Sequence, residues 1–96
     1  MKKYESVILL KSNLSEKDLD NIVNEVESKI LSYGNISQKQ NLGIKKLAYE
    51  VKGNTNGYYL VFQFEIKEDI SSEAIKAIER LYKIRDEIIK YIVVDL

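Results

Sequence analysis

The 96-residue chain contains no cysteine and no histidine. Without cysteine no disulfide framework can form, which is compatible with a reducing compartment. Without either residue the chain also lacks thiolate chemistry, the usual zinc ligands and the commonest general base. A metal site would have to be built from oxygen alone, so neither a metal nor a cofactor is expected, and an enzyme becomes a poor reading. Long apolar runs are missing too, so no membrane partner is expected. The opening MKKYESVILL is basic and then apolar, but its apolar run spans only Val7 to Leu10 before KSNLSEKDLD follows. It reads as a strand rather than a secretory signal. Net charge is also absent, with 15 basic residues against 15 acidic ones. Any contact with a nucleic acid must therefore come from charge segregated locally.

What is present is the composition of a globular chain, 45% apolar and 31% charged. At this length it reads as a single domain over residues 1–96 with one core. Charge is segregated along it: Glu16, Asp18, Asp20, Glu25 and Glu27 face one lysine, Lys17, while Lys2, Lys3, Lys39, Lys45, Lys46 and Lys52 fall in strand-like or terminal segments. Lys3–Leu10 reads as a strand. Ser15, with Asp18 three residues on, marks a helix start. Leu19, Ile22, Val23, Val26, Ile30 and Tyr33 then form one apolar stripe, and Gly34 is expected to end the helix as its C′ residue. A second strand runs from about Ile36 to Val51, and Asn56-Gly57 carries the turn signal of a hairpin. The third strand is YYLVFQFEI. Ser71 or Ser72 is expected to cap a second helix with Ala74, Ile75, Ile78, Leu81 and Tyr82 as its stripe, and EIIKYIVV supplies a fourth strand.

The order is β-α-β followed by β-α-β, the ferredoxin-like arrangement of α+β class. It predicts a four-stranded antiparallel sheet, order 4-1-3-2, with both helices on one face and the other face open. Alternation puts Tyr58, Leu60, Phe62, Phe64 and Ile66 under the helices. The open face then gathers Val7, Leu9, Tyr59, Val61, Ile92 and Val94, more apolar surface than an isolated domain usually leaves wet, which suggests a protein partner. The second strand lies at an edge and carries adjacent lysines, Lys45 and Lys46. Two readings stay open for them: protection of the edge against sheet-to-sheet pairing, or contact with phosphates on an exposed rim. The aromatic pattern by which RNA-recognition motifs stack bases on this fold is not matched by NGYYLVFQ, so base stacking on the sheet is not expected.

Three segments, MKKYESVILL, GIKKLAYEVKGNTNGYYLVFQFEI and IRDEIIKYIVV, resemble the family of the bacterial-type small-subunit ribosomal protein numbered six, in order and over essentially the whole chain. The resemblance implies a structural component of the small ribosomal subunit in the cytoplasm. It implies binding to the central domain of the small-subunit rRNA together with the small-subunit ribosomal protein numbered eighteen, and a monomer when free. Carried over by residue, the family's RNA-contacting positions fall on Lys2, Lys3, Tyr4, Lys45, Lys46 and Lys90. Its motif tyrosine falls on Tyr49, which joins Tyr59, Val61, Ile92 and Val94 as the expected protein-partner surface. Relatives commonly carry arginine at several basic positions, whereas this chain has only Arg80 and Arg85. Lysine makes a point-charge contact without the arginine fork. The resulting expectation is weak RNA binding by the chain alone, tightened by the protein partner.

Other readings of the same fold are weaker. A phosphate-cleaving hydrolase would need a glycine-rich cradle with a nearby arginine, and KGNTNG reads better as a plain hairpin turn. A small-ligand-binding regulatory domain is the alternative that remains. It would show a sharp ligand-induced rise in melting temperature.

Overall fold

The computed structural model describes residues 1–96. The chain runs through β1 (Lys2–Lys11), α1 (Glu16–Leu31), β2 (Gly34–Val51), β3 (Asn54–Ile66), a 3-10 turn (Glu68–Ile70), α2 (Ser71–Ile84) and β4 (Ile88–Asp95). The four strands form one antiparallel sheet in the order β2-β3-β1-β4. This is the expected ferredoxin-like order, with β2 and β4 as its edges.

Alternation along the strands builds the core. Tyr4, Ser6, Ile8 and Leu10 of β1 lie beside Phe64, Phe62, Leu60 and Tyr58 of β3 in register, and all but Tyr58 are buried. Against that face pack Ile22, Val26 and Ile30 of α1 and Ala74, Ile78, Leu81 and Tyr82 of α2, the stripes read from their spacing. Burial of a side chain the size of Phe62 stabilises the fold by about 2–3 kcal/mol. One polar pair sits inside this apolar layer, the hydroxyls of Ser6 and Tyr82, 3.0 Å apart. Burial pushes the Tyr82 phenol up to about 12, the Ser6 hydrogen bond opposes that shift in part, and the negative charge of Glu79 adds to it.

The helix ends follow local chemistry. The Asp18 backbone N–H donates to Ser15 Oγ at 3.1 Å, as the cap signal predicts. At the other end of α1 the cap is Ser32, whose N–H donates to the Ser28 carbonyl. Gly34 is not a left-handed C′ residue; it opens β2, and a Cβ there would lie 2.0 Å from the Glu65 carbonyl oxygen. Close approach of two backbones, not a turn, requires that glycine. In α2 no side chain caps the first turn: Ser71 Oγ donates instead to the Glu68 carbonyl, and the preceding 3-10 turn leads the chain in.

The hairpin turn is also displaced from its expected position. Val51 pairs with Asn54, so the two-residue loop is Lys52-Gly53, with φ of 48° and 81°. Two consecutive positive φ values match the twist of the flanking strands in a primed turn. Asn56 and Gly57 lie within β3, where a Cβ on Gly57 would fall 2.1 Å from a Leu9 methyl. The glycine leaves the space that Leu9 fills.

Candidate nucleic-acid interface

The outer face of the sheet is less open than its alternation suggests. Between Lys46, which pairs with Asn56, and Val51, which pairs with Asn54, β2 carries four unpaired residues against one on β3. This bulged arm bends over the sheet and lays Leu47 on Leu9 and Ile89, with Val51 and Tyr59 packed alongside. Leu9 is thereby buried; Val61 is buried too, and Val7 and Tyr59 are half-buried, so only Ile92 (52% exposed) and Val94 (43%) remain well exposed of the six apolar residues expected there. The reading of a fully uncovered apolar face is corrected by this small second core. Beside it, Val7, Tyr59, Lys90 and Ile92 line a hollow of about 140 Å³.

Neither lysine of the adjacent pair enters the core. Lys45 lies level with Gly57 on the outer face, and Lys46 lies level with Asn56 on the helix side. Both are exposed. On the helix side this is possible because the helices end short of this stretch: Ile44, one pair nearer the core than Lys46, is already 60% exposed. Neither lysine is ion-paired, and neither is Lys90 on the outer face of β4.

The remaining candidates lie elsewhere. Lys2 and Lys3 pair with Ile66 and Glu65, at the end of the sheet opposite Lys45, which shares its level with Gly57 and Lys11. Across about nine residues of strand the two ends are roughly 30 Å apart. Lys2 Nζ also lies 4.0 Å from Asp95 and 5.8 Å from the centre of the Tyr4 ring. Tyr4 itself is only 5% exposed and stacks on Phe64 at 5.7 Å, so its ring is a core element and has no open face for a base. Val61, expected on the partner surface, is buried at 6% exposure. Tyr49 on the bulged arm is 83% exposed, the wettest of the large apolar side chains. The lysines expected to contact RNA thus fall into two separated groups, with Ile92 and Val94 running along β4 between them.

The acidic helix accounts for part of the charge segregation. Glu27 binds Lys39 of β2, and Glu25 binds Arg85 at 2.9 Å, with Glu87 on the other side of the same guanidinium at 3.4 Å. These pairs join α1 to β2 and to the α2–β4 connection. No group of three acidic side chains is placed to hold a metal ion, and no helix is long and apolar enough to cross a membrane.

Residues 3–95 match the family model described as ribosomal protein S6. The chain belongs to the ribosomal protein S6 family. The small ribosomal subunit protein bS6 of Alkaliphilus oremlandii is 32% identical over the whole of this chain and 98% of its own. That of Helicobacter acinonychis is 32% identical over 98% of this chain, which spans 64% of that longer relative. The crystal structure of the 30S ribosomal protein S6 from Thermotoga maritima superposes with a TM-score of 0.90 at 27% identity, covering 99% of this chain and 87% of that one. As a member of this family the chain is a structural, non-enzymatic component of the small subunit of the cytoplasmic ribosome.

For an S6-family fold, sequence reasoning overlooked Leu47 and Ile89, the two residues that cover Leu9. The signal was present in the apolar Leu47 between exposed neighbours and in the doublet Ile88-Ile89. The doublet straddles the register shift opposite Leu9 and Leu10, which sends one isoleucine to each face of the sheet.

Proposed function

We propose that the chain binds the central domain of the small-subunit rRNA together with the small-subunit ribosomal protein numbered eighteen, and that it is a monomer when free. The observation that carries this reading is the uncovered strip of β4. Lys90, Ile92 and Val94 are exposed along the outer face of an edge strand, while of the neighbouring apolar residues Leu9 and Val61 are buried and Val7 and Tyr59 half-buried. Cation and apolar surface side by side suit a composite partner, with the protein on the isoleucine and valine and the phosphate backbone on the lysines. Tyr49 and the half-buried Tyr59 extend the protein-contacting surface. Lys45, Lys46 and Lys90 contribute phosphate contacts from one end of the sheet, and Lys2 and Lys3 from the other. Tyr4 supports Lys2 from within the core, its ring centre 5.8 Å from Lys2 Nζ, and Val61 packs within the outer face level with Val7.

A neutral chain with few such lysines should bind RNA weakly alone and more tightly with its partner. Co-purification of ribosomal particles with the wild type and a Lys45→Glu/Lys46→Glu variant, at low and high salt, tests the reading. Reduced recovery of the variant in small subunits is expected. Wild-type occupancy by the variant would leave the two lysines only the protection of their edge. A salt dependence of RNA binding by the chain alone worth about six or more phosphates would also contradict the composite surface.

A further inference from the structure

The end of the molecule where β2 turns into β3 gathers four lysines from four different elements. Lys11 comes from the last residue of β1, Lys52 from the hairpin turn, Lys83 from the last turn of α2 and Lys90 from β4. They border two adjoining hollows of about 270 and 250 Å³, which share Lys52, Lys83, Ile88 and Ile89. None of the four takes part in an ion pair. Arg85 also lines this cleft, but Glu25 and Glu87 already hold it, which leaves Asp86 as the only acidic side chain lining either hollow. Like charges crowded on one rim repel in the isolated chain, and a polyanion laid across them relieves that cost.

We infer that this cleft is a docking surface for the phosphate backbone of RNA, formed by Lys11, Lys52, Lys83 and Lys90. The inference rests on the rRNA-binding reading above and locates its main electrostatic contact, which the sequence placed on Lys2, Lys3, Lys45, Lys46 and Lys90; of these only Lys90 borders the cleft. Two features favour RNA over an acidic protein. Of the apolar side chains lining the cleft, Ile88, Ile89 and Tyr82 are buried and Tyr91 is half-buried, so little apolar surface is offered as an anchor, whereas protein interfaces centre on such anchors and are depleted in lysine. Lysine ammonium groups on flexible stems also suit a chain of phosphates better than the bidentate geometry of a carboxylate. The cleft exists only in the folded chain, because the bulged arm carries Lys52 across the sheet toward α2 and β4. No run of basic residues in the sequence shows it.

Binding of a central-domain rRNA transcript, measured by fluorescence anisotropy across a salt series with the second protein present, tests the inference. The variants are Lys52→Glu/Lys83→Glu, the neutral Lys52→Gln/Lys83→Gln, and Lys2→Glu/Lys3→Glu as the control at the far end. Lys52 and Lys83 are exposed, and an unchanged melting temperature checks that each variant folds. The glutamate pair should lower affinity on the order of thirtyfold or more, and the glutamine pair should flatten the log–log salt slope by about 1.4–1.8, the share of two phosphates. The far-end variant should lose less than the cleft variants. Wild-type affinity and slope in both cleft variants, with the wild type binding normally, would overturn the inference and leave the rRNA reading standing. Failure of a cleft variant to bind the second protein in the absence of RNA, with its weak RNA binding alone unchanged from the wild type, would assign the cleft to a protein and overturn it equally. Failure of the wild type to bind the transcript at all would overturn the rRNA reading itself.

Discussion

The side chains of Ser6 and Tyr82, 76 positions apart in the sequence, meet hydroxyl to hydroxyl at 3.0 Å in the core, where neither is more than 1% exposed. The bond ties α2 to the central strand of the sheet. Replacing Ser6 with alanine leaves the Tyr82 hydroxyl buried without a partner, at a cost of about 1–3 kcal/mol. Replacing both, with Ser6→Ala and Tyr82→Phe, should cost less than the two single changes summed. Urea unfolding of the four proteins gives the coupling energy. Additivity within about 0.5 kcal/mol would mean that the pair is not coupled.

The same pair sets an alkaline limit. Burial raises the Tyr82 phenol from 10.0 to about 12 in the folded chain. The native state therefore holds its proton more tightly than the unfolded chain does. That stabilisation is complete below pH 10 and is lost as pH rises through 12. Between about pH 9 and about pH 12 the wild type should lose roughly 2 kcal/mol more than Tyr82→Phe does. Denaturant titrations of both proteins at those two values check it; equal losses would show that Tyr82 titrates as an exposed phenol.

Two glycines should differ in their tolerance of a methyl group. A Cβ on Gly34 meets the backbone of Glu65, which is locked in the β2–β3 ladder, whereas a Cβ on Gly57 meets the Leu9 side chain. Leu9 can yield by repacking against Leu47 and Ile89, at a cost of about 1–3 kcal/mol for the crowding. The ladder can yield only by breaking. Gly34→Ala should therefore destabilise more than Gly57→Ala, as ranked by thermal unfolding.

The bulged arm should depend on Leu47, which is 9% exposed and packs on Leu9 and Ile89. Leu47→Ala is expected to cost about 2 kcal/mol. Amide exchange should speed up first at Val51 and Asn54, the last ladder pair before the turn. Uniform acceleration across the sheet would instead place the arm in the same cooperative unit as the main core.

Lys45 and Lys46 lie on an edge strand, exposed and free of ion pairs. Lys45→Val/Lys46→Val should leave thermal stability nearly unchanged and promote self-association, because unpaired strand edges without charge recruit one another. Light scattering against protein concentration reads this. A monodisperse variant at high concentration would remove the edge-protection role.

The helix stripes, the strand order and the Ser15 cap were legible in the sequence because each depends on short-range spacing. Ile22, Val26 and Ile30 recur at helical intervals whatever else the chain does. The errors lie where a distant partner decides. Gly34 and Gly57 are glycines because Glu65 and Leu9 approach them, and neither neighbour is visible locally. Tyr4 is carried over from the family resemblance, and its ring lies in the core on the inner face of an interior strand. Lys52 and Lys83 come together only once the arm has folded over, so the separated lysines seen along the chain conceal one cluster and suggest another.

The central position of β1 bears on how the molecule is made. Its neighbours are β3 and β4, so residues 2–11 hydrogen-bond only to segments after position 56. During synthesis the earliest strand must wait, its apolar side unsheltered, until most of the polypeptide has emerged. Non-local pairing of this kind slows folding and lengthens exposure to wrong partners. The first of the four strands is thus the last to have both of its neighbours in place.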